Sequence, residues 1–236
     1  MSINFQHIHD RDSLAPIAAN MIATAITDDV SKNVRASLML SGGSTPGATY
    51  DKLSAFDLPW ADVDIGLVDD RWVNEDNAGS NGALIRQALI KDKAKKARFI
   101  PMKNEMTDHI EAQSIVEKDY SLFTHPYSAV ILGMGLDGHT ASWFPNAAGL
   151  SQSLDTNNSN RVQAVTAIRS DVTGDYLNRM TLTLSAIAQS KMALLLLTGQ
   201  QKRDVFERAC NDSQADLPIK YAINALGDRL TVLYAD

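Results

Sequence analysis

The chain has 236 residues, 44% of them apolar and 21% charged, which excludes wholesale disorder and is long enough to bury one sizeable core. A net charge of −6 argues against a nucleic-acid-binding surface as the main business of the chain, though not against a local anion pocket. The single cysteine, Cys210, rules out an internal disulfide framework and suits the cytoplasm, and the longest apolar run, Met192 to Leu197, falls far short of the roughly 20 residues a membrane helix needs.

Met1 to Asp12 has neither a basic n-region nor an apolar h-region, so no secretory signal is expected. Ser13 to Val30 follows with apolar residues at helical spacing, then Ala36 to Leu40 as a short buried strand ending at Ser41-Gly42-Gly43. A helix is expected over Gly47 to Phe56, with Pro46 in its first turn. The next strand, Val63 to Val68, ends in Asp69-Asp70. Lys91 to Arg98 is locally basic and reads as a solvated helix end. Asp108 to Phe123 predicts another helix, and Ser128 to Leu132 another strand, ending at Gly133. Leu154 to Asn160 is polar and predicts a surface loop. Strands are expected at Arg161 to Thr166, Met180 to Leu184, Met192 to Leu197 and Leu230 to Tyr234, with helices over Gln200 to Cys210 and Pro218 to Leu226. Near-continuous apolar strands alternating with helices predict one α/β domain over residues 1–236, with a Rossmann-like parallel-sheet core covered by helices on both faces.

Ligands of such sheets bind at the carboxyl ends of strands, so the turns there carry the chemistry. In Ser41 to Pro46 (S-G-G-S-T-P), Gly42 and Gly43 allow close backbone approach, Ser44 and Thr45 supply hydroxyls, and a helix N-terminus follows. The loop reads as a phosphate cradle or as a structural tight turn. It lacks the Gly-Lys-Ser/Thr ending of a P-loop, and Pro46 stands where a nucleophile elbow needs glycine. Gly133 to Gly138 matches G-x-G-x-x-G, but Pro145 leaves too little room for the long helix of a dinucleotide site. His139 is a candidate general base, with Asp137 on the same turn to orient it or to cap the turn. Arg71 could clamp phosphate or carboxylate, or fix its turn through an ion pair. Lys202, in the first turn of its helix, opposes the helix dipole and so suits an external anion. His7 and His9 have metal-like spacing but no third ligand, and Cys210 reads as a buried structural thiol.

Together these turns resemble the 6-phosphogluconolactonases. The resemblance rests on S-G-G-S-T-P at 41–46, V-D-D-R-W-V at 68–73, S-N at 80–81, L-G-M-G-L-D-G-H-T-A-S-W-F-P at 132–145, R-M-T-L-T at 179–183 and L-T-G-Q-Q-K at 197–202. It implies a glucosamine-6-phosphate deaminase/ribose-5-phosphate isomerase-like fold and hydrolysis of 6-phospho-D-glucono-1,5-lactone in the oxidative pentose phosphate pathway. By the same resemblance no metal or organic cofactor is expected, and His139 is the base. Gly42, Gly43, Ser44, Thr45, Asp70, Arg71, Gly138, Arg179 and Lys202 become the expected substrate-binding set. The partner would be a small phosphosugar lactone, with no nucleic acid and no membrane, in a monomer or homodimer. Asp137 would steady the imidazolium, and glycine-turn amides with Arg71 would receive the oxyanion.

Two departures stand out. The family's D-E-R appears as Asp69-Asp70-Arg71, one methylene short, and Ile168 to Asn178 lacks the expected lysine and prolines. The nearest rival is an amino-sugar phosphate deaminase, which carries a glutamate in an N-E-P context where this chain reads Trp143-Phe144-Pro145. A non-catalytic sugar-phosphate sensor would need a DNA-binding module, for which there is little room before residue 36.

Overall fold

Helix starts follow local capping chemistry. In the computed structural model, which describes residues 3–32 and 34–236, the Asp10 carboxylate accepts from the Ser13 amide, Ser80 from Ala83, Asp108 from Ile110 and Glu111, and Thr183 from Ala186. Met1 and Ser2 of the N-terminal stretch read above lie outside the described residues. The elements run β1 (Asn4–Ile8), α1 (Arg11–Val30), β2 (Ala36–Leu40), α2 (Ser44–Ser54), β3 (Val63–Leu67), β4 (Asp69–Arg71), α3 (Asn81–Ala88), β5 (Arg98–Phe99) and α4 (His109–Tyr120). They continue as β6 (Ala129–Leu132), α5 (Leu150–Leu154), β7 (Val162–Thr166), β8 (Asn178–Leu182), α6 (Leu184–Ile187), β9 (Ala193–Thr198), α7 (Gln200–Asn211), α8 (Ile219–Leu226) and β10 (Leu230–Ala235).

Seven strands form one all-parallel sheet in the order β1-β10-β9-β6-β2-β3-β5. Every residue of β2, β3, β6 and β10 is buried, as the apolar runs require of strands covered on both faces. The chain builds outward from β2 through β3 to β5, then returns beside β2 as β6 and builds the other way through β9 and β10. The order therefore reverses between β2 and β6, and the loops that leave their carboxyl ends flank a crevice. No helix among the described residues is long and apolar enough to cross a membrane.

The strands expected near 161–166 and 180–184 lie outside this sheet. β7 and β8 pair antiparallel with each other, and β8 pairs antiparallel with β4, in a second sheet ordered β4-β8-β7. The edge of β7 is closed by α4, because Glu117 accepts from the Val162 amide at 3.0 Å and Gln113 from the Ala164 amide at 2.9 Å. Strand Val63–Val68 is likewise shorter than expected. The chain leaves the main sheet after Leu67, and Asp69 to Arg71 joins the second sheet.

Two edge strands carried no apolar signal. β1 leaves Asn4, Phe5 and His7 exposed, and β5 has only two residues. Lys91 to Arg98 is a 3-10 turn over Asp92–Lys96 that leads into β5, not a helix end. β5 is held instead by charge. The Asp64 carboxylate, buried in β3, receives forked contacts from Arg98 (2.9 and 2.8 Å) and from Arg35 (3.1 and 2.7 Å). Cys210 corrects another expectation: it is exposed, and its neighbour Ala209 takes the inward position on α7.

Candidate active site

The crevice at the β2/β6 reversal is a cleft of about 300 Å³. The loop after β2 forms one wall with Gly42, Gly43, Ser44 and Thr45, and the loop after β6 faces it with His139. Arg71 from β4, Arg179 from β8 and Lys202 from α7 complete a cationic floor. These residues lie up to 160 positions apart (Gly42 to Lys202), yet the topology brings them to one end of the sheet. Asp137, Asp70 and Gly138 do not line it.

His139 is aimed by its own turn. Its Nδ1 lies 2.5 Å from Asp137 Oδ1, and its backbone amide donates to the same oxygen at 3.1 Å. Burial pushes the Asp137 carboxyl up, but hydrogen bonds from His139 outweigh it and hold the group below its ordinary value. An ionised Asp137 fixes the proton on Nδ1, which leaves the Nε2 lone pair for a water. Gly135 makes the arrangement possible: a Cβ there would sit 2.2 Å from His139 Nδ1 and Cε1. Gly138 adopts φ +76° to turn the chain, and its carbonyl accepts from the Ile219 amide, so its part is structural support behind the base.

The cradle is a helix start left open. α2 begins at Ser44, earlier than expected, on an N-cap glycine, Gly43, at φ +107° with no side-chain cap. Pro46 then occupies a first-turn position that has no N–H to satisfy, and the remaining first-turn amides are free for an anion. α7 starts the same way, on Gly199.

The three cations differ in what they can offer. Arg71 Nη1 donates to the Gly79 carbonyl at 2.6 Å, while its buried Nε has no partner. Arg71 lines the cleft and has no carboxylate partner among the described residues, so its guanidinium can serve an incoming anion. Arg179 is 3% exposed and donates to the Tyr176 and Thr173 carbonyls at 2.9 and 3.2 Å. Burial lowers its pKa to about 10, which marks a charge that gains from an incoming anion. Lys202 is half-buried, and burial holds its ammonium below the usual lysine range.

Asp70 faces away. Its carboxylate accepts from the amides of Arg71, Asn81 and Gly82 at 2.8, 2.7 and 3.1 Å, so it seats the start of α3 and makes no contact in the cleft. Burial nevertheless pushes its carboxyl up to about 7 against those three donors. Asp69 and Asn81 line the cleft in its stead; both fall within the motifs quoted above but outside the expected substrate-binding set. Asn81 Nδ2 donates to the Asp69 carbonyl at 2.8 Å, and Ser142 Oγ donates to Asp69 Oδ2 at 2.5 Å. His7 and His9 stand apart from all this. His7 contacts the Asp236 carboxylate, His9 is exposed, and no three-residue metal-binding group forms among the described residues.

Residues 9–231 match the family described as glucosamine-6-phosphate isomerases/6-phosphogluconolactonase. The chain belongs to that family. The glucosamine-6-phosphate isomerase/6-phosphogluconolactonase likeness extends over whole chains. A 6-phosphogluconolactonase of Rhizobium meliloti is 31% identical, with 100% of both chains covered. One from Neisseria meningitidis is 34% identical over 97% of this chain and 98% of its own. The crystal structure of a 6-phosphogluconolactonase from Shewanella baltica superposes with a TM-score of 0.91 at 32% identity, covering 100% of this chain and 98% of that one. The parallel sheet with its reversal point is thus the fold of the isomerase/lactonase family.

Proposed function

We propose that the chain is a cytoplasmic enzyme that hydrolyses 6-phospho-D-glucono-1,5-lactone to 6-phosphogluconate in the oxidative pentose phosphate pathway. The observation that carries this reading is a carboxylate-oriented histidine, His139 on Asp137 at 2.5 Å, in the same cleft as an uncapped helix start and three cations. A lone cysteine fits the reducing compartment.

The phosphate docks on the α2 amides, the Arg71 guanidinium and Lys202, which fixes the lactone carbonyl near His139 and removes orientational entropy from the barrier. Nε2 of His139 takes a proton from water as the water oxygen bonds to the lactone carbon. The carbonyl electrons move onto oxygen, and the oxyanion is met by glycine-turn amides and an arginine. The oxyanion then collapses, the bond from carbon to ring oxygen breaks, and the imidazolium returns its proton to that oxygen. Asp137 stabilises the imidazolium in between. No step is routed through a metal, so a chelator is expected to leave the rate unchanged.

The anion cradle makes phosphate part of recognition. Comparison of 6-phosphogluconolactone with unphosphorylated glucono-1,5-lactone should show kcat/KM lower by at least about 100-fold for the latter, the loss of two charge-assisted contacts. Equal kcat/KM values would overturn the assignment of the cleft to a phosphosugar.

A further inference from the structure

Phe144 lies five residues beyond His139 and is 2% exposed. Its ring stacks on the imidazole at a centroid distance of 4.2 Å and an interplanar angle of 29°. The Arg179 guanidinium carbon lies 4.7 Å from the same ring. The loop between base and ring is held at several points. Ser142 Oγ donates to Asp69, the Ser142 amide donates to Thr181 Oγ1 at 3.2 Å, and the fully buried Trp143 donates from Nε1 to the Leu182 carbonyl at 2.9 Å. Ala141 sits in the left-handed region at φ +51°, a conformation that a non-glycine residue keeps only where its surroundings impose it.

We propose that Phe144 is a positioning residue for the reaction, acting through His139: its ring sets the plane of the imidazole so that Nδ1 meets Asp137 and Nε2 faces the cleft. The Asp137 contact holds one edge of the imidazole but leaves rotation about that hydrogen bond free, and a flat ring against the imidazole face removes this freedom. Arg179 is fixed by the Thr173 and Tyr176 carbonyls of the loop between β7 and β8, so the stack also ties that loop to the base. The inference rests on the lactonase reading for its kinetic test and has a second test independent of turnover.

Phe144→Leu keeps an apolar side chain and removes the flat ring. A kcat 10- to 100-fold lower is expected, the scale of a misplaced catalytic group, with KM changed less than about twofold. Phe144→Met serves if the leucine variant fails to fold, since a flexible apolar chain fills the same space. Proton NMR supplies the second reading. The His139 Nδ1 proton, held on Asp137, should give a downfield, slowly exchanging signal in the wild type that broadens or is lost in the variant. An unchanged kcat, a rise in KM alone, or a signal with unaltered shift and exchange would each overturn the proposal. An inactive wild type whose signal still changes in Phe144→Leu would overturn the lactonase reading and leave the positioning role standing.

Discussion

Gly135 shows how little space surrounds the base. A methyl group there would meet the imidazole at 2.2 Å and the Asp137 carboxylate at 2.7 Å, so Gly135→Ala must turn the His139 ring away. Because no positive φ is needed at this position, the fold should survive while kcat falls about 100-fold, which paired kinetics and thermal melts would separate. Lys202 gives a second prediction at this scale. Its pKa is lowered by burial, so affinity for 6-phosphogluconate should weaken as pH rises through that depressed value, earlier than an exposed lysine would allow. Titration calorimetry across the alkaline range checks this, and Lys202→Met should flatten the dependence. At the residue scale the sequence was legible where chemistry and turn coincide, as at His139, Arg71 and the 41–46 loop. It placed Gly135, Asp69 and Phe144 in motifs but not in roles, because those roles depend on what packs against them.

The elements depend on buried apolar runs in the middle of the sheet and on ion pairs at its margin. Asp64 joins β3 to the two-residue β5 through the Arg98 fork and to the start of β2 through the Arg35 fork. Burial pushes its carboxyl up, but the Arg35 and Arg98 contacts outweigh it and hold it below its ordinary value. A carboxyl lowered on folding contributes stability that is present above its unfolded pKa and lost as pH falls through the folded value, so Asp64 contributes to acid unfolding. Asp64→Ala should cost about 2–4 kcal/mol in denaturant melts near neutral pH, discounted because both arginines are partly exposed, and less at pH 3. Central strands such as β2 and β9 were legible because burial on both faces leaves an uninterrupted apolar run. β1 and β5 were not, since an edge strand needs only backbone partners and these two expose polar side chains. The small antiparallel sheet was not foreseen for a related reason: strand identity can be read from local pattern, while strand partner depends on distant register.

Across the whole molecule, a chain of net charge −6 gathers Arg71, Arg179 and Lys202 with an open helix start at one crevice. That local reversal of sign is what a small anionic substrate requires, and the strand-order reversal is what creates the room. Filling the cleft should therefore stabilise the entire fold. At 100 times its dissociation constant, 6-phosphogluconate should add about 2.7 kcal/mol, a rise in Tm of roughly 5–11 °C for a chain of this size. Unphosphorylated gluconate at the same concentration should add little. The most direct test is the turnover of His139→Asn on freshly generated 6-phosphogluconolactone, measured above spontaneous hydrolysis by coupling the product to a dehydrogenase. A fall in kcat of about 10²–10⁴-fold is expected, with 6-phosphogluconate affinity kept within a few-fold. Near-full turnover in that variant would contradict His139 as the base.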